Sequence, residues 1–316
     1  MKNRIRRNPV RRLLSLASTL VLLLFLAGIG AGTYLFFEAV GRKNAVSVEE
    51  IQAETAWMEE GYEMERFSLT VGDGTTLSGY FLPAKKPSRR LAVLVHGRNS
   101  HAGRMKKYAE IYLNDNFHVF LADNRGHGKS GGDYIGMGWL ERKDYLEWLD
   151  VLIPRIESGK EPCEIVLHGL SLGGAAVMMM SGEESLPAQV RCIIADCGFT
   201  SVAEEFRHQL TERLHLPAFP MVEIGSLESK LFAGYSFFEA SALEQVKKSR
   251  VPLFLIHGSA DTFVPPSMAH TLYDTAGGEK ELWIVEGAGH VKAYSTAPEA
   301  YVFRVREFYR RYFSPS

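Results

Sequence analysis

Hydrophobic positions follow three rhythms along this chain. Between residues 13 and 37 they form one unbroken apolar run of 25 residues without a charge. At about 1.5 Å per helical residue, that run is long enough to cross a hydrocarbon core of about 30 Å. Further on, short apolar runs recur at residues 91–95, 118–122, 165–167, 192–195, 251–256 and 281–285. They lack the polar/apolar alternation of half-exposed strands, which predicts strands buried on both faces of a parallel sheet. Between these runs the period becomes helical. Residues 101–113 follow a possible cap, Ser100, and within 139–156 the residues Tyr145, Leu149, Leu152 and Ile156 recur at spacings of four, three and four. Helices also fit the segments after Ser171, Pro266 and Ala297. Residues 66–84 contain two strand-like runs around Gly72-Asp73-Gly74, where Asp-Gly signals a hairpin and hence an antiparallel edge. Strands alternating with helices specify an α/β fold, with a mostly parallel sheet flanked by helices on both faces.

Charge adds an orientation to this picture. Lys2, Arg4, Arg6, Arg7, Arg11 and Arg12 all precede the first acidic residue, Glu38. Residues 1–12 then read as a basic cytoplasmic tail and 13–37 as a transmembrane signal anchor, which leaves the rest on the extracytoplasmic side of the cell membrane. The competing reading is a signal peptide cleaved near Gly28, Gly30 and Ala31, giving a secreted protein. Residues 38–60 are polar, Ala/Glu-rich and helix-prone, which suits a stalk or a surface helix. Residues 61–316 show no repeat and no Pro/Ser-rich linker, and their length fits one large domain. Lys and Arg number 36 against 37 Asp and Glu, a net charge of -1. No large positive field exists to gather phosphates, so nucleic acid is excluded as a general partner in favour of small molecules. Three cysteines are an odd count that builds no disulfide framework, and no oligomeric state follows from the sequence.

In open α/β sheets ligands bind beyond the carboxyl ends of the strands. There the chain carries Gly169-Leu170-Ser171-Leu172-Gly173, directly after one predicted strand and before the small residues Gly174-Ala175-Ala176. A Gly-x-Ser-x-Gly pentapeptide is a weak signal alone. Between strand and helix it is the setting of a nucleophilic serine on a sharp turn, where small residues on either side prevent clashes. Such a serine needs a base, and the base needs a partner that fixes its tautomer. Asp261, in His257-Gly258-Ser259-Ala260-Asp261, and His290, in Gly287-Ala288-Gly289-His290, each follow a predicted strand. The order Ser171, Asp261, His290 is the one expected of this arrangement. The oxyanion of a tetrahedral intermediate would be held by the backbone N–H of Leu172 and, from the loop His96-Gly97-Arg98-Asn99, by that of Arg98. The Arg98 side chain is left to face solvent or an anionic substrate group. No metal-ligand spacing and no phosphate- or dinucleotide-binding glycine motif is present, so no cofactor is implied.

These motifs, with Asp123-Asn124-Arg125-Gly126-His127-Gly128-Lys129-Ser130, resemble the α/β-hydrolase superfamily of serine hydrolases, in its Bem46-like or serine-aminopeptidase-like branch with membrane-anchored bacterial members. The resemblance covers roughly residues 67–312. It implies the α/β-hydrolase fold and structural roles for Arg125 and His127 beneath the site, with His127 a second histidine to test; His96 and His168 read as packed scaffold. It also implies that the insertion at about 200–248 forms a cap over the site. The aromatic and aliphatic content of that insertion suits either an apolar acyl or aryl pocket or simple packing of the cap. The function expected is cleavage of a carboxylic ester by a Ser-His-Asp triad through an acyl-enzyme. A peptidase, aminopeptidase or acyltransferase with the same triad is the alternative, with an amine-binding carboxylate sought among Glu204, Glu205, Glu223, Glu228 and Glu239. A non-catalytic surface protein that binds an apolar ligand is the remoter one.

Overall fold

The computed structural model describes residues 9–42, 46–157 and 161–314. Chain order runs α1 (Pro9–Val40), α2 (Val48–Gly61), β1 (Glu65–Thr70), β2 (Thr76–Leu82), β3 (Arg90–Val95), α3 (Lys106–Leu113), β4 (His118–Ala122), α4 (Glu141–Ile156), β5 (Glu164–Leu170) and α5 (Leu172–Met180). It continues through β6 (Val190–Asp196), α6 (Val202–His208), α7 (Met221–Glu228), α8 (Ala242–Val246), β7 (Leu253–Gly258), α9 (Pro266–Thr275), β8 (Lys280–Val285), α10 (Ala293–Thr296) and α11 (Pro298–Arg310). Eight strands form one sheet in the order β1-β2-β4-β3-β5-β6-β7-β8. Among the strands of the described residues, only β1 with β2 and β2 with β4 pair antiparallel. This is the α/β-hydrolase fold.

The apolar runs become strands because both faces of the sheet are covered. On one face Tyr145, Trp148, Leu149 and Leu152 of α4 pack with the small residues of α5 against Val93, Ile165 and Leu167. On the other, Tyr108 and Tyr112 of α3 meet Tyr301, Phe308 and Tyr309 of α11 over Leu94, Val166 and Ile194. The strands run further than their apolar centres, β5 for instance from Glu164 to Leu170, because ladder hydrogen bonds do not require apolar side chains.

Two helix starts differ from expectation. Ser100 is not a cap: the buried His101 ring takes the Gly103 N–H on Nδ1, and a 3-10 turn at Ala102–Met105 precedes α3. The second helix begins at Glu141 rather than residue 139. The Glu141 carboxylate turns back to accept from the N–H groups of Gly136 and Gly138 at 2.8 and 2.7 Å, which holds the preceding loop outside the helix.

Before the sheet, α2 lies on the domain with Ile51, Thr55 and Met58 buried. The segment between β6 and β7 holds α6, α7 and α8, with π-turns at Gln209–Arg213 and Ser229–Ala233. Helix α1 contains one stretch, Val10–Val40, that is long and apolar enough to cross a membrane. Lys2, Arg4, Arg6 and Arg7 of the basic flank lie outside the described residues. The far end of α1 is packed: Phe36 and Val40 are buried in the core, and Ile224 of α7 fills the space beside Gly32.

Candidate active site

The turn between β5 and α5 is set by two glycines. A Cβ at position 169 would stand 2.1 Å from the Gly173 carbonyl oxygen, and one at 173 would stand 2.0 Å from that of Val95. Only hydrogen fits at either place. The chain is thereby forced through Ser171 at φ 53° and ψ -115°, a conformation that typically costs about 1–3 kcal/mol outside glycine. Gly173→Ala is expected to lower stability by about 3 kcal/mol through overpacking. Thermal unfolding should then fall by roughly 6–12 °C. Gly30→Ala, where nothing among the described residues lies within 4 Å of the added Cβ, should leave it unchanged. A Gly173→Ala midpoint within 2 °C of the parent would contradict this account of the turn.

Held there, the Ser171 hydroxyl lies 2.8 Å from Nε2 of His290. Nδ1 of the same ring lies 2.7 Å from Oδ2 of Asp261. His290 and Asp261 come from the loops after β8 and β7, adjacent parallel strands, which explains how residues 29 apart meet. Asp261 is fixed in turn, because its Oδ1 accepts from the N–H groups of Phe263 and Val264. Burial alone would raise its pKa. Hydrogen bonds from His257 and His290, the charge of His290 and the Val264 N–H outweigh that, and hold the carboxyl well below the usual carboxylate range. The Phe263 ring lies over the His290 ring at 4.8 Å.

The Leu172 N–H sits in the first turn of α5, and the Arg98 N–H sits in the loop after β3. Neither donates to a backbone carbonyl among the described residues, and both residues line the same cavity as Ser171. Gly97 lets this loop approach, since a Cβ there would already touch the Leu170 carbonyl at 3.3 Å and the Ser171 Cβ at 3.4 Å. Two buried histidines tie the loop to the segment after β4. The His96 ring donates from Nδ1 to the Gly97 carbonyl and accepts the Asn124 N–H on Nε2. His127 donates from Nδ1 to the Arg125 carbonyl and accepts the Asn99 N–H on Nε2. Burial lowers both rings, to about 4 and about 3, so both stay neutral and keep these tautomers. His168 is also scaffold, bridging the Tyr112 and Tyr301 hydroxyls.

Above the serine lies a cavity of about 410 Å³. Its walls are chiefly apolar: Phe199, Phe206, Leu210, Met221, Val222 and Phe237 come from the segment between β6 and β7, Phe263 from the loop after β7, and Gly32, Phe36 and Ala39 from α1. The Arg98 side chain is half-buried and donates to the Glu38 carbonyl at the end of α1, 2.7 Å away. Of the five glutamates considered as amine ligands, only Glu205 lines the cavity. Glu204 and Glu223 face Arg207, Glu228 accepts from Thr33, and Glu239 pairs with Lys230. Burial pushes Glu205 up to about 8, and its Oε2 has no hydrogen-bond partner among the described residues. The wall contributed by α1 was not foreseen from the sequence, because an apolar helix face reads alike whether it meets lipid or a pocket.

Cys197, Asp261 and His290 place three ligand atoms within 4.8 Å of one another. Two of them already bind each other, and burial holds the Cys197 thiol well above its usual range.

A strained serine on a strand-to-helix turn, hydrogen-bonded to a histidine from a later loop of the same parallel sheet, defines the protein as an α/β hydrolase. The chain belongs to the Hydrolase_4 family, described as serine aminopeptidase, S33, whose family model matches residues 86–221 and 208–292. Among its relatives, the uncharacterized protein YqkD of Bacillus subtilis is 27% identical over 250 residues, covering 79% of this chain and 80% of that protein. Protein bem46 of Schizosaccharomyces pombe is 26% identical, covering 69% and 68%. Among solved structures, the Pyrococcus furiosus esterase Pf2001 superposes with a TM-score of 0.65 at 25% identity, over 82% of this chain and 94% of that one.

Proposed function

We propose that the protein is a membrane-anchored serine esterase that cleaves a carboxylic ester of an acyl or aryl acid through an acyl-enzyme. Ser171 is the nucleophile, His290 the general base and then acid, and Asp261 the group that orients His290 and stabilises its cation. The Leu172 and Arg98 amides hold the oxyanion. The observation that carries this reading is the continuous hydrogen-bond chain from Ser171 Oγ through His290 to Asp261, opening into a chiefly apolar cavity. Serine attack forms the Oγ–acyl bond while the alcohol leaves with the proton held by His290. Water, deprotonated by the same ring, then releases the acid.

The family's description raises aminopeptidase action as the second reading, and Glu205 favours it by position alone. Its carboxyl, raised to about 8 by burial, is a hydrogen-bond donor in the empty pocket and ionises only against a bound cation. The similarity to an esterase of known structure favours the ester. Retention of α1 is supported by its uninterrupted course through Gly28, Gly30 and Ala31 into the buried Phe36 and Val40. With α1 spanning the bilayer and the basic flank inside, the catalytic domain lies outside the cytoplasm.

The test is hydrolysis of p-nitrophenyl esters from acetate to long-chain acyl, beside aminoacyl anilides, by the full chain in detergent with Ser171→Ala alongside. Ester turnover that disappears in the variant supports the proposal. Anilide turnover without ester turnover would establish the aminopeptidase, and no turnover on either would favour a non-catalytic binding protein.

His127 is the natural probe of the oxyanion loop. His127→Ala leaves the Asn99 N–H without its acceptor, which frees the loop carrying the Arg98 amide. Ester kcat is expected to fall about ten- to a hundred-fold with KM changed less. His127→Gln, which retains an acceptor, should recover part of the loss, and equal rates for all three proteins would rule out this positioning role.

A further inference from the structure

We propose that the pocket is filled from within the bilayer, and that the substrate is a membrane-resident amphiphile carrying one ester-linked acyl chain, which enters along the seam between α1 and α7. The inference rests on the esterase reading for its chemistry and on geometry for its direction.

Helices α1 and α7 lie side by side and run the same way. Pro220 stands beside Gly28, Ile224 beside Gly32, Glu228 accepts from Thr33, and the Phe232 ring lies 6.0 and 6.1 Å from those of Phe36 and Phe37. If the hydrocarbon begins near Leu13, about 20 residues at 1.5 Å each bring its far boundary to about Gly32. The contacts of Pro220 and Ile224 therefore fall at or inside that boundary. The cap must then touch lipid.

Its surface is made for that contact. Phe219 is 75% exposed, Leu231 70% and Leu227 62%, with Leu214 and Phe232 also exposed. Large apolar side chains in such a cluster mark an interaction surface, and here the surface continues that of a membrane-spanning helix. The same seam leads inward. Gly32 and Phe36 on α1, with Met221, Val222 and Gly225 on α7, line the cavity that contains Ser171. Parting the packed Ile224–Gly32 contact would bring an acyl chain from the bilayer to the serine without crossing water. At about 410 Å³ the cavity is near the small end of ligand pockets, which suits one chain rather than two.

Two measurements on the full chain in ether-linked phosphatidylcholine vesicles test this. A nitrobenzoxadiazole label on Phe219→Cys should show blue-shifted emission quenched by nitroxide-bearing lipids, the native cysteines being buried. In Phe219→Asp/Leu231→Asp, the ratio of turnover of vesicle-borne p-nitrophenyl palmitate to that of soluble p-nitrophenyl acetate should fall at least tenfold. A label with the emission of water and no quenching, or an unchanged ratio, would overturn the proposal. Failure of the parent protein to hydrolyse either ester would instead count against the esterase reading, while the label still decides whether the cap enters the bilayer.

Discussion

Ser171→Ala is expected to lower ester kcat by on the order of 10⁵-fold, to the residual rate that an oxyanion hole and substrate binding sustain without a nucleophile. The loss is chemical rather than structural. Alanine keeps the Cβ and the same strained backbone, and gives up only the 2.8 Å contact to His290, worth about 1 kcal/mol. The thermal midpoint should therefore move by no more than a few degrees. Ser171→Gly separates the two effects further. Glycine adopts φ 53° without strain, so this variant should be equally inactive yet about 1 kcal/mol more stable than Ser171→Ala. Activity above a hundredth of the parent's in either variant, measured on the best p-nitrophenyl ester, would transfer the nucleophile's role elsewhere. A glycine variant less stable than the alanine one would show that the turn is not strained.

The sheet was legible in the sequence because burial on both faces leaves little room for polar residues at strand centres. Six unalternating runs accordingly marked β3 to β8, and Asp73-Gly74 marked the hairpin joining β1 to β2. Strand and helix ends were less so. Glu141 and His101 act as caps through side-chain contacts that no local propensity encodes. Ser171, Asp261 and His290 could be read together because each stands at the end of a strand, where order and spacing carry geometric meaning. The neutral histidines that hold the loop of Arg98 could not be read in the same detail. What His96 and His127 do depends on which ring nitrogen meets an amide 28 residues away, a relation that only the folded chain creates. The α1 wall of the pocket and the burial that raises the Glu205 pKa were hidden for a related reason. Both depend on what surrounds a residue in space rather than along the chain.

Arg125→Met is expected to cost about 4 kcal/mol, the largest loss of stability from any single side chain considered. Arg125 is buried after β4, where Nε and Nη2 grip both oxygens of Asp144 on α4 at 2.7 and 2.5 Å. Its Nη1 reaches Asp73 in the β1–β2 turn at 2.7 Å. One guanidinium thus joins the sheet edge, the loop beneath the site and α4. Burial alone would lower its pKa, but the hydrogen bonds to Asp144 and Asp73 and the charges of Asp144 and Glu141 more than offset that and keep it protonated. Methionine fills much of the same volume but leaves Asp144, 3% exposed, as a carboxylate without its partner. An unpaired buried charge is what makes the single variant costly. Arg125→Met/Asp144→Leu removes both charges at nearly constant volume and should regain most of the loss. By thermal unfolding of the full chain in detergent, the single variant should melt roughly 8–16 °C below the parent. If the double variant melts as low as the single one, the guanidinium acts through packing and its contact with Asp73 rather than by neutralising Asp144.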